Sequence, residues 1–244
     1  MKKLSFIGIG GSTNIELGGN CCYLKEKDNL LIIDMCEGAT EKLEKVNAFK
    51  NIKNIYVAIT HTHFDHVAGL GTFIWYCNFD LNISPKIIYS NFKYMHTLKK
   101  LLKLTGVEKK FVKYIKDSSF KINDLKLSMQ KTTHTPKLQC FGIMFQDKLG
   151  KYYYTSDTND INYIKKLCED KTIKTIYTEI ATETYDAHIK YDDIINLEKE
   201  KLILMHFDTM ELYKKAIKDG FEVACLEESD INGWRSKSGE YKLG

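Results

Sequence analysis

Short apolar runs separated by polar stretches recur along most of the chain, and their periods differ. Leu4-Ser5-Phe6-Ile7, Cys22-Tyr23-Leu24 and Leu30-Leu31-Ile32-Ile33-Asp34 are brief and apolar, which predicts strands, with Lys27-Asp28-Asn29 turning between the last two. Residues 37–49 place Leu43 and Val46 on one face and read as an amphipathic helix. Asn54-Ile55-Tyr56-Val57-Ala58-Ile59 reads as a buried strand and residues 67–79 as a helix after it. Lys86-Ile87-Ile88-Tyr89, opened by Pro85, predicts another strand. Residues 94–116 carry Leu98, Leu101, Leu102, Leu104, Phe111 and Ile115 at helical spacing and predict two helices divided at Gly106.

Beyond that, residues 120–122, 125–127, 142–146, 152–155, 175–178, 202–205 and 220–224 read as strands, and residues 161–168, 191–197 and 210–218 as helices, before a polar tail. This alternation predicts an α/β protein with mixed sheets covered by helices. The length of 244 residues, with no linker or repeat, predicts one domain over residues 1–244.

Composition narrows the classes. No run is long enough for a membrane span. The formal charge of +4 is almost wholly lysine, and Arg235 is the only arginine, so bidentate base readout is scarce and a sequence-specific DNA binder is disfavoured. Seven cysteines without a CxxC pair predict reduced, mostly buried thiols and a cytoplasmic protein. Met1-Lys2-Lys3 before an apolar run resembles a leader, but the run is short and meets Gly10-Gly11, which favours a first strand. The glycines of residues 8–20 lack the spacing of a dinucleotide fingerprint. The lysines of residues 94–116 read as a solvated face, although such a stretch can also hold phosphate or a membrane surface.

The chemistry concentrates in His61-Thr62-His63-Phe64-Asp65-His66, on a strand-to-helix turn. A lone histidine is most often a satisfied polar residue. Three imidazoles and a carboxylate within six residues instead match the ligand set of zinc and its first-row neighbours. Potential ligands also stand at or just after other strand ends, at His134, Asp157, Glu179 and His206.

Taken together, HTHFDH at 61–66, His134, the Asp157 of SDT and the His206 of MHF resemble the metallo-β-lactamase superfamily over nearly the whole chain. The resemblance implies its αβ/βα four-layer sandwich, two mixed β-sheets flanked by helices, with two divalent metal ions at the sheets' edge. By matched position His61, His63 and His134 would hold one ion, Asp65, His66 and His206 the other, and Asp157 would bridge them. The donors suit Zn2+ foremost, with Mn2+ or Fe as alternatives. Aspartate at 157 places the chain with the phosphoesterase and thioesterase branches.

Glu179 and His188 resemble the acid–histidine pair of tRNA 3′-processing endonucleases, yet their proline-lysine-arginine loop and tRNA-gripping insertion are missing here. The LGGN, HTHFDHVAGLGTFIWYC and TETYDAHI segments look more like the anti-Pycsar proteins. That resemblance implies hydrolysis of 3′,5′-cyclic mononucleotides to 5′-monophosphates, counteracting cyclic nucleotide immune signalling. Asp65 would be ligand and proton acceptor, and His188, supported by Glu179, would protonate the departing 3′ oxygen. Phe64, Tyr185 and Phe207 flank the motifs and are candidates to wall the base. A homodimer is implied by the resemblance alone. The competing readings are a tRNA or other RNA endonuclease, an ester hydrolase, and a non-catalytic nucleotide-binding protein, the last disfavoured by the complete donor set.

Overall fold

The computed structural model describes residues 4–183 and 186–226. The chain begins with β1 (Ser5–Gly8), β2 (Cys21–Glu26) and β3 (Asn29–Ile33), an antiparallel meander whose last turn is the expected one at Lys27 and Asp28. Then come α1 (Ala39–Lys45), β4 (Asn54–Ala58), α2 (Phe64–Val67), α3 (Leu70–Phe79), β5 (Lys86–Tyr89), α4 (Phe92–Leu104) and β6 (Lys113–Lys116). The second half follows as β7 (Lys121–Ile122), β8 (Leu125–Thr132), β9 (Cys140–Asp147), β10 (Gly150–Tyr154), α5 (Ile161–Glu169), β11 (Ile173–Ile180), α6 (Tyr191–Ile194), β12 (Leu202–Phe207), α7 (Met210–Lys218) and β13 (Glu222–Val223).

These strands form two mixed sheets, one of six in the order β1 to β6 and one of seven in the order β13 to β7. The sheets meet through buried side chains. The Asn20 amide donates to the Tyr154 hydroxyl at 2.8 Å, and the Phe6 and Tyr177 rings lie 5.8 Å apart. The four-layer α/β sandwich expected from the sequence is the fold observed. β4 runs parallel to β3 and β5, and β10, β11 and β12 run parallel to one another, so their carboxyl ends gather at common sheet edges. The Phe141 amide donates to the Thr60 carbonyl at 3.0 Å and joins the two edges. Ligand sites in α/β sheets form at such ends.

Caps fix where the main helices start. Asn91, Asp160 and Thr209 each accept a backbone N–H of the first turn, at the heads of α4, α5 and α7. α4 ends at Thr105 because Gly106 takes φ 82°, which favours glycine. The second helix expected after Gly106 does not form. Residues 109–111 make one 3-10 turn, and Lys113–Lys116 pairs with β5 as an edge strand. Phe111 and Ile115 therefore pack at helical spacing without a helix, because a four-residue strand shows too little alternation to declare its period. The helix expected across 67–79 breaks into α2 and α3 at Gly69. A Cβ there would stand 2.3 Å from the Cys36 carbonyl oxygen, so glycine lets this junction close on the loop after β3.

Six of the cysteines are buried and free, and Cys225 is free and exposed. Among the described residues no helix is long and apolar enough to cross a membrane.

Candidate metal centre

Seven side chains from four strand ends converge at this edge. His61 and His63 follow β4, Asp65 and His66 lie on α2, His134 follows β8, Asp157 follows β10 and His206 sits in β12. They form two groups whose donor atoms all lie within 4.8 Å: His61, His63, His134 and Asp157, and Asp65, His66, Asp157 and His206. Asp157 belongs to both. The structure thus brings together all seven residues that the motifs singled out.

The backbone is bent to achieve this. His206 is the extra residue of a β-bulge, since Glu179 pairs with Met205 and Ile180 with Phe207, and its φ is 55°. A bulge re-aims one side chain through a local bend of the strand. Asp34 and Ser156 also have left-handed φ, 61° and 56°, at the ends of β3 and β10. Such conformations cost non-glycine residues about 1–3 kcal/mol each and concentrate at functional sites.

The donor chemistry fits divalent ions. In the second group the Nε2 atom of His66 lies 3.3 Å from Asp65 Oδ2 and 3.4 Å from Asp157 Oδ1. Nε2 of His206 lies 3.5 Å from Asp65 Oδ2 and 3.4 Å from Asp157 Oδ2. Tetrahedral ligands about 2.0–2.1 Å from an ion stand about 3.3 Å apart, close to these spacings. His66 Nε2, His206 Nε2 and Asp157 Oδ1 are buried without a hydrogen-bond partner, a costly arrangement unless an ion takes their lone pairs.

In the first group Nδ1 of His63 faces Nε2 of His61 at 2.9 Å and Nε2 of His134 at 3.1 Å. One hydrogen on His63 cannot satisfy both. Asp157 Oδ2 lies 3.8 Å from each of His61 and His134, so this set is less regular than the other but still closes round one point.

Charge follows the same logic. Burial and the neighbouring His66 push the His61 imidazole far below its ordinary pKa, and burial beside His134 lowers His63, leaving lone pairs available. Burial opposes the charge on His66, but Asp157 and Asp34 outweigh it and raise the pKa well above the usual range. His206 is raised to about 10 against its burial, chiefly by Asp157. The carboxyls of Asp157 and Asp65 are held low despite burial, each by the adjacent His206 and His66 imidazoles.

Supporting groups orient the rings. Asp34, fully buried, accepts from His66 Nδ1 at 2.8 Å and from the Thr60 amide at 2.7 Å. Sequence reasoning missed Asp34 in this role. Its signal was an aspartate closing the apolar run of β3, as other acids and histidines close the later strands. His134 Nδ1 donates to the Ala187 carbonyl at 2.6 Å.

Glu179 and His188 form a third group with His206. Glu179 is fully buried in β11, takes the Thr158 amide on Oε1 at 2.7 Å and His188 Nδ1 on Oε2 at 2.7 Å. Burial lowers the His188 pKa, and the Glu179 bond and charge more than reverse that, leaving it raised. The His188 ring stands 4.9 Å from that of His134 and 5.7 Å from that of His206, between the two donor groups.

Of the three aromatics expected to wall a pocket, Phe64 is largely exposed at the rim. Tyr185 lies outside the described residues. Phe207 requires correction. Its ring is fully buried and packs edge-on against Tyr213 of α7 at 5.2 Å, so it is part of the core and closed to a ligand.

With that geometry in view, similarity to known proteins is informative. The family model of the anti-Pycsar protein Apyc1 matches residues 2–224. No curated protein sequence matches. Among solved structures, the metallo-β-lactamase fold protein YhfI from Bacillus subtilis aligns with TM-score 0.68 and 17% identity, over 93% of this chain and 97% of its own. The short form of human tRNase Z aligns with TM-score 0.62 and 17% identity, over 93% and 96%. A diphosphatase of the PhnP family aligns with TM-score 0.67 and 15% identity, over 91% and 94%. At these identities the likeness is one of fold.

Proposed function

We propose, for a chain that belongs to the anti-Pycsar Apyc1 family, that it hydrolyses 3′,5′-cyclic mononucleotides to linear 5′-monophosphates. The chain is a metal-dependent phosphodiesterase, and the cyclic substrate is our reading. The observation that carries it is the position of His188. A histidine bonded to a buried glutamate faces the gap between two metal-donor groups, where a leaving oxygen would need a proton.

His61, His63 and His134 would hold one ion, Asp65, His66 and His206 the other, and Asp157 both. Bound divalent ions would neutralise phosphate oxygens and make water nucleophilic near neutral pH. The protein does the rest. Asp65, kept ionised, accepts a hydrogen bond from the attacking water and orients it. As the water oxygen bonds to phosphorus, the P–O3′ bond breaks and its electron pair stays on the 3′ oxygen. His188 holds Nδ1 on Glu179, so Nε2 faces that oxygen and supplies its proton. The proton lost by the water leaves past Asp65 to solvent, from which His188 is recharged.

The histidine-rich donors favour zinc, with manganese or iron as alternatives, to be read by elemental analysis of the purified protein. A homodimer and a cytoplasmic location belong to the same reading, and light scattering tests the first. The decisive assay offers metal-loaded protein a panel of cyclic nucleotides, with pre-tRNA in parallel and a His61→Ala/His63→Ala control. Linear monophosphates formed only by the intact protein are expected. Cleavage of pre-tRNA alone would replace this reading with RNA processing.

A further inference from the structure

We propose that Asn159 and Asp208 are positioning residues that hold His188 at the leaving group, an inference that rests on the acid role argued above. His188 lies in the segment between Ala181 and Tyr191, whose ends are tied by Ala181 N–H to the Ile189 carbonyl at 2.9 Å and Tyr191 N–H to the Ala181 carbonyl at 3.0 Å. Inside it, Asp186 takes a left-handed φ of 58° two residues before His188. A non-glycine residue there is disfavoured by about 1–2 kcal/mol, so the turn needs outside support to keep one shape.

Asn159 gives that support. Its side-chain amide donates to the Asp186 carbonyl at 2.7 Å, while its backbone N–H donates to the Thr133 carbonyl at 2.9 Å. One residue thus joins the strand end carrying Asp157, the loop carrying His134 and the turn carrying His188. At the other end, Asp208 accepts the Thr182 N–H on Oδ2 at 2.7 Å and the Thr182 hydroxyl on Oδ1 at 3.0 Å. Each anchor stands two residues beyond a metal donor, Asp157 and His206 respectively. The acid is therefore registered against both donor groups.

Magnitudes separate positioning from stability. These hydrogen bonds are exposed, and such a bond contributes only about 1 kcal/mol to folding. A displacement of about 1 Å of a catalytic group can cost about 100-fold in rate. Removing an anchor should leave the fold and change the chemistry.

The test compares kcat for a 3′,5′-cyclic nucleotide, whose alkoxide needs a proton, with kcat for bis(p-nitrophenyl) phosphate, whose phenolate leaves without one. The ratio of the two is read in Asn159→Ala, Asp208→Ala and, as reference, His188→Ala, with metal content measured in each. Glu183→Ala, which removes only an exposed ion pair with Lys190 in the same segment, is the control and should keep the wild-type ratio. We expect the ratio to fall at least about tenfold in both anchor variants, in the direction of His188→Ala, and Asp208→Asn to recover part of it through its remaining acceptor oxygen. A lowered ratio in His188→Ala with wild-type ratios in the anchor variants would overturn the positioning role. So would equal loss of both activities together with metal. A wild-type ratio in His188→Ala would instead remove the acid role, and the positioning inference with it.

Discussion

Asp34→Asn isolates what a supporting carboxylate does for a ligand. Asp34 Oδ1 accepts the Thr60 amide at 2.7 Å and Oδ2 accepts His66 Nδ1 at 2.8 Å, so the carboxylate keeps a hydrogen on Nδ1 and makes Nε2, beside Asp65 and Asp157, the nitrogen that an ion takes. In the amide, Oδ1 retains Thr60 and an NH2 replaces Oδ2. Two donors then face each other, and His66 relieves the clash by moving its hydrogen to Nε2, the atom the ion requires. Asparagine tolerates the left-handed φ of 61° and fills the same volume, so the fold survives. Loss of such an outer partner typically weakens a metal 10- to 100-fold, or about 1.4–2.7 kcal/mol. Competition with a chelator, followed by elemental analysis, should show one site weakened by that factor and the other, built on His61, His63 and His134, nearly unchanged. A folded Asp34→Asn protein with both sites at wild-type affinity would refute the argument.

Chelation should abolish turnover and lower the melting temperature, because each ion present at about 100 times its Kd stabilises the native state by about 2.7 kcal/mol; unchanged melting would show that the donors do not bind an ion. Metal loading at pH 8 should release protons, since the metal-free His66 and His206 sit above their ordinary pKa and must give up Nε2–H to bind; calorimetry in buffers of different ionisation enthalpy counts them. Phe207→Ala should cost about 3–5 kcal/mol in urea unfolding, whereas Phe64→Ala should stay within about 0.5 kcal/mol and act, if anywhere, on KM. Gly69→Ala should be destabilising, since its Cβ meets a backbone carbonyl that cannot step aside, and the same unfolding measurement checks it.

The donors were legible because their signal is local. Each stands at a strand end or on the turn and short helix just beyond one, and most strands of both sheets could be read from short apolar runs. Aromatic residues were harder. Phe64 and Phe207 both adjoin motif histidines, yet one points outward and the other into the core beneath α7, and only the packing of α7 distinguishes them. Lys113–Lys116 was misread for a related reason. Its pairing with β5 is a contact between segments 27 residues apart in register, which no window of sequence contains. Asn159 and Asp208 left no trace at all, because exposed polar residues after a strand are ordinary and their partners lie in another loop.

Backbone conformation was equally hidden, and it explains how four separate strand ends make one site. A regular strand sends successive side chains to opposite faces, so an extended Leu202–Phe207 would set His206 by parity alone. The bulge releases that constraint and lets Nε2 reach Asp65 and Asp157 while Met205 and Phe207 keep their places in the core. Left-handed residues at Asp34 and Ser156 turn the chain beside the same edge. The strain and the unpartnered nitrogens are tolerated together only if something draws the donors inward. Metal binding and the conformation of these strand ends therefore stabilise each other, which is why removing the ions should be felt in the melting of the fold as well as in catalysis.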